Sequence, residues 1–163
     1  MSIVADNDLF SNALLRSAAM LARAHELRRD GSVGGEEWDR LADESAALWS
    51  DLSDEQQGVI KELSVDLHSL AEPAKKPGPL DEKGRAKLAE VLKAKELGDW
   101  NRALQSLREM RDELEPAYLS RMRGEIWREA GEPAVAADFF RHMQSLGTDE
   151  TEERETPRKS IAS

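Results

Sequence analysis

Three histidines, His25, His68 and His142, are the side chains of this chain that ordinarily titrate near neutrality. They stand far apart, and none belongs to an H-E-x-x-H pair that could grip zinc from one helix face. The residues three positions before them are Ala22, Val65 and Phe139, so the Glu-x-x-His arrangement of helical di-iron sites is missing. Cysteine is absent, which removes thiol nucleophiles, disulfides and Cys/His zinc sites. There is no G-x-x-x-x-G-K-[ST] phosphate loop and no G-x-S-x-G nucleophile turn. Carboxylate pairs abound, but with 33 Asp and Glu in 163 residues no single pair is specific. His25, on an apolar stripe, reads as a packed histidine rather than a ligand. The expectation is a chain with no catalytic residue, no metal and no cofactor. The alternative is a helical-bundle enzyme or ligand-binding protein whose site is assembled from separate helices.

Charge narrows the choice of partners. The formal charge is −10, and almost all of it lies in residues 36–72, where eleven acids face Arg40 and Lys61 alone. Such a surface repels nucleic-acid phosphates, so no nucleic-acid partner is expected. The stretch reads as a solvated helical face, or as a docking surface for a basic partner. No uncharged run exceeds seven residues, whereas a membrane-spanning helix needs ~20. Met1 to Phe10 has no basic start and carries Asp6 and Asp8, so no export signal and a cytoplasmic location are expected.

Any site must therefore be positioned by helices. Ala (21) and Leu (20) far outnumber Val and Ile (10 together), and no segment alternates with a period of two. Apolar residues recur instead with a period of 3.6. Phe10, Leu14, Leu21 and His25 predict a helix from about Asp8 to Arg29, broken by Gly31, Gly34 and Gly35. Trp38, Leu41, Ser45, Leu48, Trp49 and Leu52 form the clearest stripe, from about Glu36. Ser53 and Gln56 form a plausible capping box for a third helix striped by Ile60, Leu63, Leu67 and Leu70. Pro73, Pro77, Pro79, Gly78 and Gly84 break the stretch 71–85 and set a linker at 73–83. Four more helices follow, marked by Leu88/Val91/Leu92/Leu97, by Trp100/Ala103/Leu104/Leu107/Leu114, by Leu119/Met122/Ile126/Trp127/Ala130 and by Ala136/Phe139/Phe140/Met143/Leu146. Pro116 and Pro133 suit the first turns of the last two, and Gly98 and Gly131 the turns between helices. Residues 147–163 are polar, without a stripe, and are expected to be disordered.

Gly98 and Gly131 lie 33 residues apart in similar surroundings. Gly98-Asp99-Trp100 leads to Ala103-x3-Leu107 and Pro116; Gly124-x2-Trp127 precedes Gly131-Glu132-Pro133, which leads to Ala136-x3-Phe140. Small residues at Ala103, Gly124 and Ala136 would let paired helices approach, while Leu107, Trp127 and Phe140 fill the space between them. Residues 84–146 thus resemble about two units of the tetratricopeptide repeat. Val91 and Ala94 depart from that pattern in the first unit, where the family prefers glycine and a large aromatic. The resemblance implies an all-α fold: antiparallel hairpins stacked in a short right-handed superhelix of about seven helices. Residues 1–72 would form an acidic helical segment that packs on the repeats and covers their start.

In the resembled family, the first helix of each unit lines a groove for an extended peptide or a partner helix. Carried over, that face would show Arg85, Leu88, Leu92 and Lys95, then Tyr118, Arg121, Glu125 and Arg128. Its basic character favours an acidic peptide, which the acidic stretch 36–72 or the tail could imitate from within. No Lys or Arg stands four residues before Asn7, Asn12 or Asn101, so the carboxylate clamp of one subfamily is missing. Phe139, Phe140 and Met143, at the far end of the stack, are either core or an open apolar end. The resulting expectation is a non-catalytic interaction module, such as an adaptor, assembly factor or chaperone, that holds another protein. A self-associating structural subunit is the alternative, so a homo-oligomer is an open outcome.

Overall fold

The computed structural model describes residues 9–73 and 75–146. Within them the chain is all-α, with seven helices and no strand. They are α1 (Asn12–Arg29), α2 (Glu36–Trp49), α3 (Asp54–Ser69), α4 (Glu82–Glu96), α5 (Trp100–Glu109), α6 (Pro116–Ala130) and α7 over 133–146. The tail 147–163 and Asp8, for which sequence expectations were stated, lie outside the described residues.

Local chemistry sets most boundaries. Ser53 and Gln56 form the expected capping box, and the Gln56 side-chain amide also donates to the Leu9 carbonyl and the Ser11 hydroxyl, both at 2.9 Å. Ser11 in turn accepts from the Leu14 N–H, so α1 begins at Asn12 rather than near Asp8. Phe10 lies ahead of this helix, buried with its ring 5.3 Å from that of Trp127. Gly98 and Gly131 end α4 and α6 with φ of 77° and 109°, a left-handed turn that glycine adopts without strain. Gly84 is a correction: it sits inside the first turn of α4, its N–H donating to the Asp81 carboxylate at 2.7 Å, so the break ends at Asp81. Leu114, expected in the fifth helix, is buried in the loop after it. Leu92 and Leu97, read as part of an inward stripe, are exposed at 46% and 71%; Gly84, Val91 and Ala94 form the buried side of α4 instead.

Packing joins the two halves. α1 lies against α2 and α3, α4 against α5, and α5 against α6. One apolar core draws Leu14, Ala18, Leu63 and Leu67 from the acidic half and Val91, Leu107, Trp127 and Phe139 from the other. α2 carries the clearest stripe yet buries no residue fully, because its main neighbour is α1. Its Glu37 accepts two bonds from Arg23, at 2.6 and 2.9 Å. At Gly124 a Cβ atom would stand 2.6 Å from the Phe140 ring, so α6 and α7 meet where only glycine leaves room.

The acidic stretch is not wholly a solvated face. Asp66 of α3 is buried and accepts from Arg108 of α5 at 2.9 and 2.8 Å and from Arg123 of α6 at 3.2 Å. Arg108 also reaches Glu62 at 2.9 Å. Three helices are pinned by this one carboxylate.

Candidate functional site

Two regions carry side chains suited to recognition. The first is the outer side of α4 and α6. Lys95 bridges the helices, its ammonium 3.3 Å from Glu125 and 3.0 Å from Glu129. Partial burial alone would lower the Lys95 pKa, but hydrogen bonds to Glu129 and Glu125 outweigh it and hold the ammonium above its ordinary value. Arg121 lies 3.9 Å from Glu125 and stacks over Tyr118, with 5.1 Å from guanidinium to ring. Lys95, Tyr118, Arg121 and Glu125 are thus brought together as the sequence predicts, although the carboxylates offset much of the expected basic character.

The other predicted residues are placed differently. Arg85 donates to the Leu80 carbonyl at 2.8 Å and so turns toward the linker. Arg128 stacks over Phe140 of α7 at 5.4 Å and joins that helix pair. Phe139 is fully buried, which removes it from any open apolar end; Phe140 and Met143 are half-buried. Beside the face, Leu80, Leu88, Leu114, Tyr118 and the prolines of the linker line a largely apolar hollow of about 350 Å³.

The second region was not foreseen. The ends of α1 and α3 and one side of α7 enclose a cavity of about 580 Å³. His25, Arg28 and Arg29 come from α1, His68, Leu70 and Ala71 from the end of α3 and the residues after it, and Asp138, Arg141 and His142 from α7. All three histidines of the chain therefore meet at one cavity, with the His25 and His68 ring centres 6.4 Å apart. His68 Nδ1 lies 2.7 Å from the Ser64 carbonyl, and its Nε2 lies 2.9 Å from Arg28 Nη1. Burial lowers the pKa of His25, and Arg29, His68 and Arg28 add to that effect. Burial and then Arg123 lower His142, whose Nδ1 is 2.7 Å from the Ser120 hydroxyl. Asp138 is 3% exposed. Its Oδ1 accepts from Arg141 at 3.0 Å, while Oδ2 has no partner. Burial lifts this carboxyl to about 6, with help from Glu26 and against Arg141 and Arg29.

Among the described residues, no group of three His, Asp or Glu is placed to hold a metal ion, and no helix is long and apolar enough to cross a membrane. Comparison with protein-family models, curated proteins and solved structures finds no match to this chain. The cavity escaped the sequence reading because its residues are drawn from segments dozens of positions apart. The one local signal was the Arg28-Arg29 pair at a helix end followed by a glycine stop.

Proposed function

We propose that this chain is a non-catalytic interaction module that holds another protein on the α4–α6 face, with its hairpins arranged as in a short tetratricopeptide-like superhelix. The observation that carries the reading is Leu92: a large apolar side chain 46% exposed on α4, one turn from Leu88 at the apolar hollow. Leu88 and Tyr118 at one hollow, an exposed leucine one turn on, and Lys95, Arg121 and Glu125 along the same two helices have the composition of an interface core with a polar rim. The Lys95 contacts, which set α4 beside α6, and the Gly124–Phe140 approach support the repeat-like pairing. Because the rim holds both signs of charge, a partner segment with an apolar anchor and mixed charge fits better than a purely acidic peptide.

The test is capture of partners from a native extract by the intact chain and by a Leu92→Asp, Tyr118→Ala variant, with helicity compared by circular dichroism. The expected result is a partner bound about tenfold more weakly by the variant, a difference of ~1.4 kcal/mol. Equal capture by two equally helical baits overturns the assignment of this face. A concentration-dependent mass in light scattering, lost in the variant, makes the partner a second copy of the chain.

A further inference from the structure

Arg123 is the least expected cation of the fold. It lies in the middle of α6, 1% exposed. Its Nη2 bonds Asp66 at 3.2 Å, but Arg108 already occupies both oxygens of that carboxylate. The Arg123 Nε is buried with no partner. A guanidinium has five N–H donors, and an unmet buried donor is costly. Burial pulls its pKa below the ordinary arginine value; Asp66 opposes this, and Arg108 and Arg111 add to it. The interior around Arg123 is therefore short of negative charge.

Next to it is a polar hollow of about 180 Å³. Arg123, Ser120 and His142 line its inner side; Arg111 and Lys75 stand at the outer side, with Glu72 and Asp112 also in the wall. Pro116 and Leu119, from the first turns of α6, complete that side. Glu115, at the cap position, makes no side-chain hydrogen bond to the free N–H groups there, so the positive end of the helix is left uncapped. The volume suits a few waters or one tetrahedral or carboxylate group. Arg111 and Lys75 balance the two exposed carboxylates, and the unmet Arg123 donor, the Ser120 hydroxyl and the uncapped helix start tip the hollow toward an anion.

We propose that this hollow is a binding site for a small oxyanion of phosphate size, with Arg123 as its fixed inner donor and Arg111 and Lys75 as its outer cations. The site shares only Leu70 and His142 with the larger histidine cavity. With the apolar hollow beside the α4–α6 face it shares only Leu114, and it uses none of Leu92, Lys95, Tyr118, Arg121 or Glu125, so either assignment can fail without the other.

The histidines provide a built-in position marker. His142 lines both this hollow and the neighbouring cavity, whereas His25 and His68 line the cavity alone. The full chain is titrated with sodium phosphate, and separately with sodium acetate, against sodium chloride at matched ionic strength, with imidazole C–H signals followed by NMR. A saturable shift of His142 in phosphate or acetate, but not in chloride, with His25 and His68 unmoved, is the expected result. Arg111→Ser and Lys75→Ser act at exposed positions and leave the fold intact. Together they are expected to weaken the midpoint by about tenfold. Arg123→Lys is the third variant, expected to lose saturation while Asp66 keeps its bonds to Arg108. If phosphoserine saturates His142 at lower concentration than inorganic phosphate, the anion belongs to a larger molecule. Saturable shifts at His25 and His68, with or without His142, put the anion in the other cavity and overturn the assignment. So does a response identical to that in chloride.

Discussion

The α4–α6 face and the α1–α3–α7 cavity are both rich in charge, but the charges differ in what they do. On the face, Lys95 and Arg121 meet Glu125 and Glu129 across short, solvent-reached distances. Water and salt screen such pairs, so each contributes little to stability. In the cavity and beneath it, the charges come from separate segments and do not cancel. Asp138 keeps an unpartnered oxygen, Arg123 an unpartnered nitrogen, and Asp66 answers two arginines at once. The comparison teaches that burial, rather than the number of charges, decides which ion pairs hold this fold together and which groups remain in need of a ligand.

The strongest way to break that comparison is Asp66→Ala. It strands Arg123 in the interior and unpins three helices, so a loss of about 3–5 kcal/mol in urea unfolding is expected. A loss below ~1 kcal/mol would place Asp66 with the surface pairs. Gly124→Ala tests the close approach of α6 and α7. The added methyl meets the Phe140 ring, and about 1–3 kcal/mol of destabilisation is expected from overpacking, together with loss of the Arg128 stacking over that ring.

Asp138→Asn should act in the opposite direction and depend on pH. The native carboxyl titrates at about 6, above its ordinary 3.8. The folded chain thus holds this proton more tightly than the unfolded one, and the buried charge costs stability above pH 6. That cost fades as pH falls from 6 to below 4. The Asn variant should therefore exceed the parent by up to about 3 kcal/mol at pH 8, with that gain gone below about pH 3. Unfolding curves at the two pH values, taken as a difference between the chains, check this. A gain that stays constant with pH would show that the carboxylate charge is not its source. The smallest effect belongs to the face: Glu125→Ala should cost less than about 1 kcal/mol, and less still in high salt.

Much of the fold was legible before any coordinates. Ser53 and Gln56 announced a cap because their chemistry acts over three residues. Gly98 and Gly131 announced left-handed turns because only glycine adopts them freely. Pro116 announced a helix start because it lacks the N–H that a first turn leaves unbonded. The misreadings share a cause. Leu92, Leu97 and the α2 stripe have the right period, but a period tells which residues share a face, not whether another helix covers it. Asp66 looked like its exposed acidic neighbours, since nothing local distinguishes a carboxylate that two distant arginines will meet. On the α4–α6 face, Tyr118, Arg121 and Glu125 were legible together because helix spacing unites them; Arg128 instead lies over the Phe140 ring of α7, a contact between helices that spacing along α6 does not show.

Helix class, boundaries, turns and the division of charge were determined by the sequence alone, because each depends on interactions within a few residues along the chain. Only the tertiary structure decided which apolar faces are covered. It also decided that Asp66 and Arg123 are interior, and that three scattered histidines share one cavity. Those outcomes arise from contacts between residues 40 or more positions apart, where burial and charge pairing depend on how whole helices pack.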